Sequence, residues 1–429
     1  MKKILLLFTD SYPLSKSGEA FLEPEIPFAI SNFDEIYIFP SSRGKKNIEK
    51  RYISGSNVVI NQVKREKIFV ELIKNISYLL EHKGFWQDVR MFINRGLFFK
   101  ISAWSKLIYT ILTEAAIVRH FKKHTFNFDG DTLIYIYSYW LFGTSGGAIA
   151  IKNVLNNKKK VVFSRGHGTD IVGYNSLDGY SPLKKYYIDE LDYIYPISNK
   201  GKEILISQYK KYNTDTEIKK ISKKITPFYL GIEDIGEINN FSKGEIFTII
   251  SCSSVIPVKR LHLIIEALSL IKTINIKWIH LGAGYLLEDM KNQSQEILGD
   301  NIHYEFKGAM SRNEVIDFYK KNNVHLFINV SSSEGIPVSI MEAYTFGIPA
   351  IATNVGGTSE ICQDGKNGFL LRKNFNISEL SNLILEVISL IENNYEKYLE
   401  LRDSAKEKMI TDFSLRNHRK FYENILKKI

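Results

Sequence analysis

Short apolar runs alternate with longer amphipathic ones along almost the whole chain. In the first half, residues 4–9, 35–40, 132–139, 160–164 and 193–197 are dense in Ile, Val, Leu, Tyr and Phe and read as strands. Between them, residues 68–80, 103–122, 146–155 and 200–210 repeat apolar positions at helical spacing. Strands that are apolar throughout fit a parallel sheet buried on both faces. The polar run NNFSKGE, 239–245, breaks the pattern and reads as a linker. The alternation then restarts. IFTIISC, IKWIHLGAG, IHYEFKG, VHLFINV and PAIATN read as strands, and RLHLIIEALSLI, YLLEDMKNQSQ, RNEVIDFYKK and PVSIMEAYTFG as the helices between them. A GG turn leads into the short helix TSEIC, and helices from residue 377 onward close the chain.

This order predicts an α/β protein of two Rossmann-like, doubly wound domains. The first spans 1–238 and the second 239–412, with the last helix, about 413–429, returning to pack on the first. Open parallel sheets bind ligands beyond the carboxyl ends of their strands, so the expected site is a cleft where two such edges face each other.

Composition refines this picture. The chain has 429 residues, 44% of them hydrophobic, enough for two or three domains with full cores. The opening MKKILLLF is short, and Asp10 ends it, so it reads as a buried strand rather than a leader. No run reaches the roughly 18–20 apolar residues that span a bilayer. Cys252 and Cys362 have neither metal nor redox spacing, which suggests a reducing compartment, and the expected location is the cytoplasm.

The net charge of +10 is uneven. Residues 64–123 carry 12 Lys/Arg against 5 Asp/Glu and are rich in aromatics. Such a stretch suits an anionic membrane surface or a solvated helical face. No nucleic-acid recognition module is visible, so no nucleic-acid partner is expected. The DGD at 129–131 precedes a strand instead of following one and reads as a turn. No His/Cys/Asp/Glu set has ligand spacing, so neither a metal nor a cofactor is expected.

The candidate chemistry gathers around EGIPVSIME, 334–342. The strand 324–330 runs into SSSEGIP, and a helix begins near Pro337, where a missing N–H does no harm. The free amides and positive end of such a helix form an anion site, suited to a diphosphate. Gly335 allows close backbone approach. Glu334 precedes the helix, and Glu342 lies about one and a half turns into it. Carboxylates there suit sugar or ribose hydroxyls, since each accepts two hydrogen bonds. In the first half, Gly18 lies in the loop after the first strand. SRGHGTD, 164–170, places His167 between two glycines after another strand. Asp170 suits either an acceptor contact or a turn cap, and Arg165 a phosphate or Asp170.

SSSEGIPVSIMEAYTFGIPAIATNVGGTSEI resembles the signature of glycosyltransferase family 4, retaining and metal-independent enzymes of the GT-B fold. The resemblance implies that Glu342 holds the ribose of a nucleotide diphosphate sugar, that Glu334 meets its hexose, and that the backbone of Gly335, Ile336, Pro337 and Val338 meets the diphosphate. SVIPVKRLHLIIEAL resembles the family's basic clamp, with Lys259 as the clamp lysine. The usual arginine is replaced by Ser254, and Arg260 is the candidate substitute. LGAGYLLEDM and FKGAMSRNEV resemble the loops near the base, which points to Gly282, Gly308, Ala309 and Met310. SRGHGTD resembles a motif whose His167 faces donor sugar and acceptor.

The implied reaction moves a hexose to a saccharide or polyprenyl-linked acceptor in cell-surface polysaccharide synthesis. It would proceed by front-face transfer, with Glu334, His167 and Lys259 as the catalytic set and peripheral contact with the inner face of an anionic membrane. Gly282-Ala-Gly284 lacks the full GxGxxG of a hydride-transfer site. A non-catalytic GT-B partner subunit and a sugar-nucleotide epimerase are the alternative readings.

Overall fold

The computed structural model describes residues 1–15, 19–42, 53, 55–124, 126, 128–172, 180–210, 213–234 and 246–429. The chain divides into two units: Met1–Tyr229 with Asn417–Ile429, and Leu230–Arg416. The polar run 239–245, read as a linker, falls outside the described residues.

The first unit holds β1 (Lys3–Thr9), β2 (Glu35–Pro40), β3 (Val58–Ile60), β4 (Leu133–Ser138), β5 (Lys160–Gly166) and β6 (Tyr193–Pro196). They form one parallel sheet in the order β3-β2-β1-β4-β5-β6. The second holds β7 (Phe247–Cys252), β8 (Ile276–Leu281), β9 (Ile302–Phe306), β10 (Leu326–Asn329), β11 (Ala350–Thr353) and β12 (Gly368–Leu371), in the order β12-β11-β10-β7-β8-β9. Each sheet therefore reverses its winding once, between β1 and β4 and between β10 and β7. At such a point the loops leaving the two central strands turn apart and open a crevice.

The expected strands are present, with two additions that the pattern missed. β3 has three residues on an exposed edge, and β12 begins with a glycine, so neither makes an apolar run. The pattern over 68–80 is two helices, Ile68–Lys74 and Ile76–Glu81. They are separated at Asn75, whose side chain turns back to the carbonyl of Glu71 at 2.6 Å. The helix Lys83–Asn94 follows, with His82 capping it through a bond from the Phe85 amide.

Alternate residues of the first sheet feed opposite faces. Ile4, Leu6, Phe8, Ile134 and Ile136 pack under the helices Ile101–Lys123 and Thr144–Val154. Leu5, Leu7, Tyr135 and Tyr137 pack with Phe421, Tyr422 and Ile425 of the closing helix Arg416–Leu426. By length and composition, Ile101–Lys123 is long and apolar enough to cross a membrane, contrary to the count of apolar runs. More than half of that stretch is buried inside the unit, and it carries the buried Glu114, as befits a core helix.

The closing helix is fixed by a buried polar cluster. Arg165 is fully buried. Its guanidinium donates to the Tyr137 hydroxyl at 3.0 Å and the Phe228 carbonyl at 3.0 Å, pairs with Glu25 at 3.4 Å and lies 4.2 Å over the Phe421 ring. Tyr422 donates to the same Glu25 at 3.1 Å. Burial alone would lower the Arg165 pKa, but Glu25 and the surrounding tyrosines reverse the shift and raise it. The expectation that Arg165 meets a phosphate or Asp170 is therefore corrected: its partner is Glu25, 140 positions earlier in the chain.

A buried ion pair that loses one member leaves the other desolvated and unbalanced. Arg165→Met should lower stability by about 3–5 kcal/mol, and Glu25→Gln on that background should restore much of the loss. Urea unfolding of the two variants checks this. Equal midpoints would mean that the pair does not hold the helix.

Candidate active site

In the second unit the loops after β7 and β10 meet at the point where the winding reverses. The loop after β7 forms a short turn, Pro257–Lys259, and Arg260 follows in a left-handed backbone conformation, φ 50°. The loop after β10 carries Glu334 and enters the helix Val338–Thr345. Lys259 Nζ lies 2.6 Å from Glu334 Oε1, with both side chains largely shielded from solvent. Asn329, the last residue of β10, donates to the same oxygen at 3.4 Å. Ser332 N–H donates to the Val258 carbonyl at 2.8 Å, which binds one loop to the other.

Pro337 caps the helix from outside it, in extended conformation, and no side chain closes that end. The first-turn amides thus retain donor capacity. A second backbone contact braces the loop. Gly357 N–H donates to the Gly335 carbonyl at 2.7 Å, and Gly356 has φ 56°. A Cβ added to Gly356 would stand 1.8 Å from the Glu334 carbonyl oxygen. Ile336 and Pro337 are buried beneath, while Gly335 and Val338 are half-buried.

Glu342 is buried one turn along, and Arg312 Nε meets it at 3.2 Å. Burial pushes its carboxyl up to about 7, against the opposing effect of Arg312. Arg312 sits in FKGAMSRNEV but had not been singled out. An unremarkable arginine at a helix start gives no signal until its carboxylate, 30 residues on, is known. Cys252, at the end of β7, has its thiol pushed up to about 12 by burial, which makes it a poor nucleophile.

The loops after β8 and β9 are joined through Gly282 and Gly308: Gly282 N–H donates to the Gly308 carbonyl at 2.8 Å. Gly282 has φ 138°, and a Cβ there would lie 1.9 Å from the Ser253 carbonyl oxygen. Ala309 beyond is exposed and Met310 half-buried. Ser254, at the place of the usual clamp arginine, is exposed. Arg260 faces the other way. Its guanidinium donates to the carbonyls of Val330 at 2.6 Å, Lys373 at 2.8 Å and Ser331 at 3.3 Å. It is a brace for the loop leaving β10, not the second clamp cation that was expected.

In the first unit His167 follows β5 and is buried between the rings of Tyr139 and Trp140, each 4.7 Å away. Burial, then the neighbouring Arg165, lowers its pKa to about 3. The ring is therefore neutral at any physiological pH. Its Nε2 lies 3.1 Å from the Tyr139 carbonyl, which can only accept, so Nε2 carries the proton and Nδ1 is left as an acceptor.

Asp170 accepts the Leu141 amide at 2.8 Å and is raised to about 7 by burial, so it fixes the turn after β4. Its role is structural, but at that earlier turn and not at the turn that follows it. Gly18 lies outside the described residues. Its neighbour Glu19, missed in the sequence, is buried with φ 53°. Its carboxylate accepts the amides of Asp10, Ser11 and Tyr12 and the Trp140 indole, at 2.6–2.9 Å, joining the loops after β1 and β4. The DGD at 129–131 is a turn, closed by the Thr132 amide on the Asp129 carbonyl at 2.9 Å.

These features agree with known proteins. Residues 233–408 match the family of glycosyl transferases, group 1. An uncharacterized glycosyltransferase of Methanocaldococcus jannaschii is 29% identical over 295 residues, 68% of this chain and 75% of that protein. The O-antigen biosynthesis glycosyltransferase WbnH of Escherichia coli is 32% identical over 146 residues, 34% of this chain and 37% of that one. Among solved structures, Anabaena HepE in complex with UDP superposes over the full length of both chains, with a TM-score of 0.62 at 16% identity. Most of the second unit thus matches the glycosyl transferases of group 1, and the two parallel sheets have the GT-B architecture of solved glycosyltransferases.

Proposed function

We propose that the protein is a retaining, metal-independent enzyme of glycosyltransferase family 4. In this reading it moves a hexose from a nucleotide diphosphate sugar to a saccharide or polyprenyl-linked acceptor in cell-surface polysaccharide synthesis. The observation that carries this reading is the Lys259–Glu334 pair standing before the uncapped end of the helix Val338–Thr345. A lysine and a set of free amides suit a diphosphate that gains charge as its bond to the sugar breaks. Glu334 suits the hexose hydroxyls, and Glu342 the ribose. The UDP complex of the structural neighbour HepE and the O-antigen role in the name of WbnH point to the same donor and product classes.

In the proposed reaction the bond from anomeric carbon to diphosphate oxygen breaks, the acceptor oxygen bonds to the same face, and its proton passes to the departing phosphate. Lys259 and the helix amides hold the diphosphate. Glu334 holds and orients the sugar. His167, neutral, offers Nδ1 as a hydrogen-bond acceptor to a sugar hydroxyl. Location at the cytoplasmic side follows from the nucleotide-sugar donor.

One observation favours a second reading, that of a non-catalytic partner subunit: Ser254 is exposed where a cation is usual, and Arg260 is committed to carbonyls. Incubating the purified chain with a panel of nucleotide sugars, with and without saccharide acceptors, separates the two. Donor consumption by the chain alone supports the enzyme. Donor binding without turnover across the panel would support the subunit.

Glu334→Ala and Lys259→Ala should each lower kcat by roughly 10²–10³-fold with the fold intact. Wild-type turnover in either would remove the pair from the reaction.

A pH dependence follows from Glu342. Its carboxyl titrates near 7 in the folded chain, above its ordinary 4.5. Its contribution to stability is therefore fully present below about 4.5 and lost as pH rises through about 7. The ionised form accepts two ribose hydroxyls, so nucleotide affinity should rise over that window and level off above it. Glu342→Gln should flatten the profile, and Arg312→Ala should shift its midpoint to higher pH. Calorimetric titration with UDP from pH 5.5 to 8.5 measures both, and a midpoint unmoved in Arg312→Ala would contradict the pairing.

A further inference from the structure

We propose that the helical layer 68–101 of the first unit rests on an anionic bilayer surface, with the turn at Phe98–Phe99 and the adjoining Ile101 entering the acyl boundary. The layer lies against the core helix Ile101–Lys123: Arg119 meets Asn75 at 3.5 Å, the Phe92 ring stands 5.1 Å from Trp104, and Arg65, just before the layer, bonds Thr113 at 2.9 Å. Leu72, Asn75, Leu79, Phe85 and Phe92 point into the unit.

Among the outward residues are many large apolar ones, where a solvated helix would be polar. Phe69, Ile73, Ile76 and Leu80, spaced by four, three and four, are all exposed, Phe69 at 71%. Trp86 and Ile93 are exposed on the next helix, Phe99 is 92% exposed and Ile101 84%. Single exposed apolar residues need no explanation, but a run of them over successive short helices followed by a doubly aromatic turn does.

The exposed Trp86 is already satisfied as a donor, since its indole N–H meets the Leu80 carbonyl at 2.7 Å. Only hydrocarbon is left to face outward. Gly96, with φ 65°, lets the chain turn so that Phe98 and Phe99 stand at its tip, their rings 5.5 Å apart, between Arg95 and Lys100.

Charge selects the occupant. Of the five acidic residues in 64–123, Glu71, Asp88 and Glu114 are buried. They are held by Arg65, by Tyr180 and the Leu183 amide, and by His82 with Tyr187. Over 64–101 the exposed charges are Lys64, Lys67, Lys74, Lys83, Arg90, Arg95 and Lys100 against Glu66 and Glu81. Folding thus turns the uneven composition into an outward face that is both cationic and apolar. That is the complement of anionic headgroups over an acyl layer, and self-association would set these like charges against each other. The surface is independent of the proposed reaction, and either could fail without the other.

Flotation of the full chain with phosphatidylcholine vesicles, and with phosphatidylcholine mixed with phosphatidylglycerol, tests it. Binding should require the anionic lipid and weaken as salt is raised. The double variant Phe99→Ser with Ile101→Ser, changing two of the most exposed apolar side chains, should lower vesicle affinity at least about tenfold, as should Arg95→Glu with Lys100→Glu. Thermal melting and sizing by light scattering keep folding and self-association in view. Equal binding to both vesicle types, no binding to either, or wild-type affinity in both folded variants overturns the proposal. So does a dimer abolished by the Phe99/Ile101 variant with no lipid binding, which would make the face an interface between copies.

Discussion

The second unit's site depends on one constraint: a parallel sheet that reverses its winding between β10 and β7 sends the chain after those strands to opposite faces, and their loops start side by side. Lys259 and Glu334 are 75 positions apart and meet only because their loops rise from neighbouring strands at that reversal. Their 2.6 Å contact has two effects. It neutralises a carboxylate beside a helix end that would otherwise be free to bind anions, and it holds the lysine in place before any ligand arrives. The pair is partly shielded, so solvent screens it less than an exposed bridge, and it bears less than the full desolvation penalty of a core one.

Around this pair the site is built mainly from backbone. Gly356 and Gly282 each sit against a carbonyl oxygen where a Cβ would overlap it, so two loops approach main chain to main chain. Arg260 reinforces the same edge by bonding three carbonyls, one of them from the segment after β12. A backbone-built site keeps its geometry through side-chain motion, which is what the proposed diphosphate would require. The first unit follows the same plan at its own reversal, where Glu19 joins the loops after β1 and β4 through three amides and an indole.

The sheets and the Glu334–Glu342 segment were legible because their signals are local. An apolar run, a proline at a helix start and a glycine before it all act within a few residues. β3 and β12 were missed because three or four residues on an edge carry little pattern. The three basic or acidic residues whose expected roles changed share a different cause. Arg165 answers to Glu25, Arg260 to carbonyls up to 113 positions away, and Asp170 to the Leu141 amide. A charged residue in a motif-like setting shows its type locally, while its partner is set by topology. His167 combined both cases: its loop was recognisable, but the aromatic box that keeps it neutral comes from the end of β4.

The protonation states bear on the kind of chemistry available. His167 is held neutral by burial, and its one proton is engaged with the Tyr139 carbonyl, so it is poorly placed to act as an acid. Asp170 is tied to an amide and raised toward 7, Glu334 is paired with Lys259, and Glu342 with Arg312. A double-displacement glycosyl transfer needs a free carboxylate against the anomeric carbon and a second group to shuttle the proton. Each of these groups is already committed to holding something. In the proposed reaction the proton therefore passes to the group that gains charge as the bond breaks, the departing phosphate, and the protein's part is to stabilise that charge and keep the sugar still. In that proposal the two glutamates of EGIPVSIME do the same kind of work at different distances from the helix end, one on the hexose and one on the ribose.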